Sequence, residues 1–138
     1  MSKLLLICGG LVFVGMGLVH GLVSGADVLR PTQFTPVDDS VRLGMKSTTV
    51  RFLKARATVW DAWLGFNLSH SLGMLVFGAA AVWFGLNLER VPVSSAALAA
   101  PVVIGLLYLL LAVRFWFWAP AVSSAIATAC FVAAWWGY

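Results

Sequence analysis

The chain has 138 residues, of which 62% are hydrophobic and only 10% charged, with a formal net charge of +4. That is too little polar surface to clothe a water-soluble globule of this size, and the basic excess lies mainly in one segment without a nucleic-acid-binding motif, so no nucleic-acid partner is expected. A lipid bilayer is the expected solvent; crossing its hydrocarbon core takes about 20 apolar helical residues, which leaves room for four spans in one domain, 1–138, and for no second domain.

The first span is expected over residues 4–23, an apolar run interrupted only by His20. A cleavable signal peptide is the rival, because Lys3 precedes the run and Ser24-Gly25-Ala26 resembles a cleavage site. The run is longer than the roughly 7 to 15 residues of such a core, which favours a retained helix. Gly17, Gly21 and Gly25 make two consecutive small-xxx-small steps, continued towards the N-terminus by Gly10. That stripe lets another helix backbone approach closely, either within the chain or in a second copy of it. Cys8 and Cys130, in the first and last apolar runs, form no CxxC or Cys/His metal spacing and read as small packing residues.

Residues 24–59 are polar. Pro31 and Pro36 break regular structure, and Asp38, Asp39 and Ser40 offer a helix start. Val41, Met45, Phe52, Val59 and Trp63 then fall on one face at helical spacing, with Arg42, Lys46, Arg51 and Lys54 off it. This predicts an amphipathic helix over 41–59, either at the membrane interface or as a solvated basic loop helix, running directly into a second span over 60–86. A third span is expected over 96–113, with Pro101 near its beginning, and a fourth over 120–136, with Pro120 at its first helical position. Arg114 with the aromatic run Phe115 to Trp118, and Trp135, Trp136 and Tyr138, suit the membrane–water interface. Seven of the nine Lys and Arg residues fall on the side of the first loop, which predicts that loop cytoplasmic and both termini outside.

The densest chemistry lies in the second span, in WDAWLGFNLSHSLG from Trp60 to Gly73. On a helix, Gly65, Ser69 and Gly73 recur every four residues and predict a close-packing stripe, while Trp60, Trp63, Asn67, His70 and Ser71 gather on the neighbouring side. If the stripes of the first two spans face one another, His20 comes near His70 or Asn67. Three uses fit. The polar groups can line an intramembrane pocket for a quinone, sterol or other lipid-like molecule. His20 and His70 can be axial haem ligands, which requires matching depth and so a first helix that continues to about Leu29, or can serve a redox or isomerase-type enzyme with haem, quinone or a lipid substrate, His70 exchanging a proton with Asp61 nearby. Or the groups can simply hydrogen-bond between helices. Asp61 is placed to cap its helix or to pair with Arg56 or Arg114, and no three-ligand metal set is visible.

The stretch from Ala57 through Gly78, with Trp60, Trp63, Gly65, Phe66, Asn67, Ser69, His70 and Ser71 at its centre and His20 on the preceding span, resembles a poorly characterised family of small bacterial four-helix membrane proteins, loosely similar to DoxX-like proteins. The resemblance implies an all-α, multi-pass bundle in the bacterial inner membrane and brings no catalytic residues or cofactor with it. The function expected is that of a structural or accessory subunit, or of a hydrophobic-ligand-binding protein, partnered by the bilayer, by another membrane protein or by further copies of itself.

Overall fold

The computed structural model describes residues 1–51, 56–90 and 92–138. Five helices follow in order: α1 (Ser2–Leu29), α2 (Asp39–Ser47), α3 (Val59–Asn87), α4 (Ser95–Phe115) and α5 (Trp118–Trp136). The described residues form no strand beyond one isolated antiparallel bridge between Thr49 and Thr58. α1, α3, α4 and α5 are each long and apolar enough to cross a membrane, and only 28% of the most apolar window of each is buried inside the fold. The outward faces carry Leu4, Leu11, Leu18, Leu72, Val76, Trp83, Leu106, Leu110 and Ile126, a surface that water does not solvate well. These are the marks of a multi-pass membrane protein.

Contacts divide the chain into two compact units, Met1–Met16 with Met74–Tyr138, and Gly17–Gly73. α1 and α3 each contribute a segment to both. In the first unit four helical segments share one core, built from Leu6 and Phe13 of α1, Met74 and Ala81 of α3, Leu98 and Val102 of α4, and Ala127, Phe131 and Ala134 of α5. Each helix places one ring at its centre. Phe13 meets Phe77 edge-on at 4.7 Å and Tyr108 at 5.1 Å, and lies nearly parallel to Phe131 at 6.2 Å. Edge-to-face and offset pairs of this kind add about 0.5–1.5 kcal/mol each beyond their burial.

Glycine sets the closest approaches in this unit. A methyl group on Gly10 would lie 2.7 Å from the Gly78 carbonyl oxygen, and one on Gly78 would lie 2.6 Å from the Gly10 carbonyl oxygen. The backbones of α1 and α3 therefore touch here, with no room for any side chain. Gly105 makes room for Thr128 in the same way, since a methyl group there would lie 2.7 Å from Thr128 Oγ1. That hydroxyl donates to the Ser124 carbonyl at 2.7 Å.

Three expectations from the sequence change. First, α1 does not end at residue 23 but continues through Ser24 and Asp27 to Leu29. Second, the amphipathic helix expected over 41–59 ends at Ser47. Thr48, Thr49 and Val50 are β-branched and lose side-chain freedom in a helix. They turn extended instead, with Val50 N–H donating to the Ala57 carbonyl at 3.0 Å and Val59 N–H to the Thr48 carbonyl at 2.8 Å. The part of the expected helix over 52–55, including Phe52 and Lys54, lies outside the described residues. Third, Pro120 is the third residue of α5 and Pro101 the seventh of α4. At Pro120 the missing N–H is one of the first-turn donors that lack a helical partner anyway, whereas at Pro101 one helical hydrogen bond is forgone.

Truncating the buried Phe131 to alanine is expected to cost about 3–5 kcal/mol, while Leu110→Ala, on an outward face, should change stability by less than about 0.5 kcal/mol. Thermal or denaturant unfolding of the detergent-solubilised variants measures both.

Candidate functional site

The polar residues of α1 and α3 meet inside the second unit, 17–73. α1 buries Gly17, Ser24 and Asp27, with His20 and Gly21 half-buried between them; α3 buries Trp60, Asn67 and Ser71, with Trp63 and His70 half-buried. The contact is made where a methyl on Gly21 would lie 3.4 Å from Ser71 Cβ. The imidazoles of His20 and His70 stand 5.5 Å apart, edge to face. Since the two segments run antiparallel, one turn further along α1 from Gly21 is one turn back along α3 from Ser71, which sets Ser24 at the level of Asn67.

Ser24 and Asn67 are each only 1% exposed. The Asn67 side chain interacts with the His20 ring, and its Nδ2 donates to the Trp63 carbonyl at 2.8 Å. Ser71 Oγ donates to the Asn67 carbonyl, also at 2.8 Å. Ser24 Oγ is buried and has no hydrogen-bond partner among the described residues. Aromatic rings lie against both histidines: Phe34 is 4.8 Å from His20, and Phe66, itself exposed, stacks on His70 at 6.0 Å with an interplanar angle of 11°.

Two capping devices hold these helices in place. At the start of α3, Thr58 Oγ1 donates to Asp61 Oδ2 at 2.7 Å, Thr58 N–H donates to the same oxygen, and Asp61 N–H donates to Thr58 Oγ1. This is a reciprocal capping box, so Asp61 serves the helix terminus. Beyond α1, Asp27 accepts the backbone N–H groups of Thr32 and Gln33 through Oδ1 at 2.8 and 3.0 Å, and that of Phe34 through Oδ2 at 2.7 Å. Trp63 Nε1 donates to the Phe34 carbonyl at 2.8 Å. Trp60 is buried beneath Lys46, whose ammonium lies 5.6 Å from its ring centroid.

The structure brings His20, Asn67, His70 and Ser71 near one another, but not through the two stripes of small residues. Of the expected packing stripes, Gly17 is buried and Gly21 makes contact, but Gly65, Ser69 and Gly73 are exposed, and a methyl on Gly25 or Gly65 would meet nothing within 4 Å. The polar side of α3, rather than its small-residue side, faces α1 in this unit. Ser24, Asp27 and Phe34 are the site residues that sequence reasoning passes over. The first two follow His20 at four and seven residues, the spacing of one helix face, and become legible once α1 is extended past its apolar run.

Bound on both sides of a haem by iron–nitrogen bonds of about 2 Å, two imidazoles keep their ring centroids roughly 6 Å apart with the macrocycle between them. In this structure the His20 and His70 centroids stand slightly closer, at 5.5 Å, with the rings edge to face. Among the described residues no group of three or more His, Cys, Asp and Glu side chains converges to hold a metal ion. No protein-family model matches the chain, and no curated protein or solved structure shows detectable similarity to it.

Gly21→Leu is expected to push Ser71 away and to lower stability by about 1–3 kcal/mol, whereas Gly65→Ala, with open space at its Cβ, should raise it by about 0.5–1 kcal/mol through helix propensity. Unfolding of the two variants in detergent gives the comparison. Protein purified after expression with added haem is expected to show no Soret band; a stoichiometric band would mean that the histidine pair opens to admit the ring.

Proposed function

We propose that the chain is an integral protein of the bacterial inner membrane, a four-span bundle that binds the polar end of a lipid-like molecule of the quinone or sterol type at His20, Ser24, Asn67 and His70. The membrane assignment is supported by the four long apolar helices and by the resemblance of the Trp60–Gly73 motif to small bacterial membrane proteins. The skew of Lys and Arg towards the connection between α1 and α3 supports placing that connection on the cytoplasmic side. α2, which buries none of its residues and carries Arg42 and Lys46, then lies among anionic headgroups.

The observation that carries the ligand reading is the buried, unpartnered hydroxyl of Ser24 beside the His20–Asn67 pair. A buried hydroxyl without a hydrogen bond costs about 1–3 kcal/mol, and a carbonyl or hydroxyl on a ligand recovers it. The half-buried Phe34 and Trp63 rings, with Phe66 outside them, suit the apolar body of such a molecule. A purely structural role competes, because Asn67 and Ser71 both direct hydrogen bonds to their own helix.

Solvent extraction and mass spectrometry of protein purified from native membranes separates the two. Under the ligand reading one hydrophobic compound is enriched over bulk lipid, is lost from His70→Ala and Asn67→Leu, and is kept by Leu110→Ala. Bulk lipid alone in all four preparations leaves the structural role.

A further inference from the structure

The connection between α1 and α2 crosses the polar cluster as a short non-helical strap, residues 30–36, in which Pro31 and Pro36 stand at the two ends. Pro lacks an N–H and holds its φ near one value, so both ends of the strap are stiff and the stretch between them must find its hydrogen bonds outside regular structure. It finds four of them on two side chains. Thr32, Gln33 and Phe34 donate their backbone N–H groups to Asp27, and Phe34 accepts from Trp63 Nε1. Asp27 belongs to α1 and Trp63 to α3, so one residue from each wall of the cluster reaches out to the strap.

The consequence is the position of Phe34. Its N–H and carbonyl are gripped by different helices, and its ring is laid against His20 at 4.8 Å. Thr32 and Gln33 stay exposed on the outer surface, while Ser24 and Asn67 beneath are almost wholly buried.

We propose that residues 30–36 are a closing strap over the polar cluster, latched by Asp27 and Trp63, and that release of this latch is what opens the cluster to a ligand. The purpose of the strap rests on the reading of that cluster as a ligand site; its mechanics do not. Asp27 is the main latch because one carboxylate serves three amides with charge-assisted hydrogen bonds. In Asp27→Asn one acceptor oxygen becomes an NH2 donor that opposes the backbone N–H groups it formerly bound. Trp63→Phe keeps the aromatic wall and deletes the indole N–H, releasing the strap from the other side.

The test reads access directly, without a ligand. In full-length protein with Cys8 and Cys130 changed to serine, Ser24→Cys reports on the cluster, and Leu29→Cys, at the exposed end of α1, reports on general reactivity. Labelling with a water-soluble maleimide in detergent is expected to be slow at position 24. It should accelerate at least tenfold in Asp27→Asn and several-fold in Trp63→Phe, with the rate at position 29 unchanged. Should Asp27→Asn fail to fold, Trp63→Phe alone carries the test. Equal rates at position 24 with and without the latch residues overturn the strap, even if a ligand is found in the extracts. Accelerated labelling with no enriched compound keeps the strap and removes the ligand.

Discussion

A carboxylate near the C-terminal end of a helix is badly placed, because the unpaired carbonyls there already carry negative partial charge. Asp27 occupies that position in α1 and is almost fully buried. Its three backbone N–H partners supply the compensation, and in doing so they decide the course of the chain after α1. The strap must fold back for its amides to reach the carboxylate, Phe34 must then lie over His20, and Trp63 can then complete the closure through Nε1. The course of residues 32–34 and the placing of Phe34 against His20 follow from satisfying one buried charge.

The other unit meets the demands of burial by different means. Its core is apolar, one ring from each of four helices interlocks around Phe13, and backbone contact at Gly10 and Gly78 brings α1 and α3 together without side chains. The buried Thr128 hydroxyl there turns back onto the backbone of its own helix, while the buried Ser124 hydroxyl has no hydrogen-bond partner among the described residues. One pair of helices thus serves two purposes along its length: close apolar packing in one unit, and a polar lining in the other. The change falls where small and aromatic side chains on α1 give way to His20, Ser24 and Asp27.

The His20 and His70 rings stand edge to face at 5.5 Å. Under the proposed function they offer hydrogen bonds to a single oxygen atom near their rim. A quinone or sterol head offers such an oxygen, with an apolar body for the aromatic walls. Under the proposed function the site therefore binds one polar atom, and the strap governs when that atom can arrive.

Much of this is legible in the sequence. Hydrophobic runs of sufficient length locate α3, α4 and α5 to within a few residues, because a helix in an apolar solvent must satisfy its own backbone and needs little help from tertiary contacts to be recognised. The polar side of α3 is equally clear from spacing, since Asn67, His70 and Ser71 share a face in any helix. Tertiary structure decides the rest. Whether α1 stops at its last apolar residue depends on Asp27, whose helical position is tolerable only once Thr32, Gln33 and Phe34 return to it, and such a return is invisible in local pattern. Which side of α3 faces α1 depends on competition between a small-residue stripe and a polar one. Periodicity weighs those two equally; in the structure Asn67 and Ser71 are buried on the side that meets Gly21 and His20, while Gly65, Ser69 and Gly73 remain exposed.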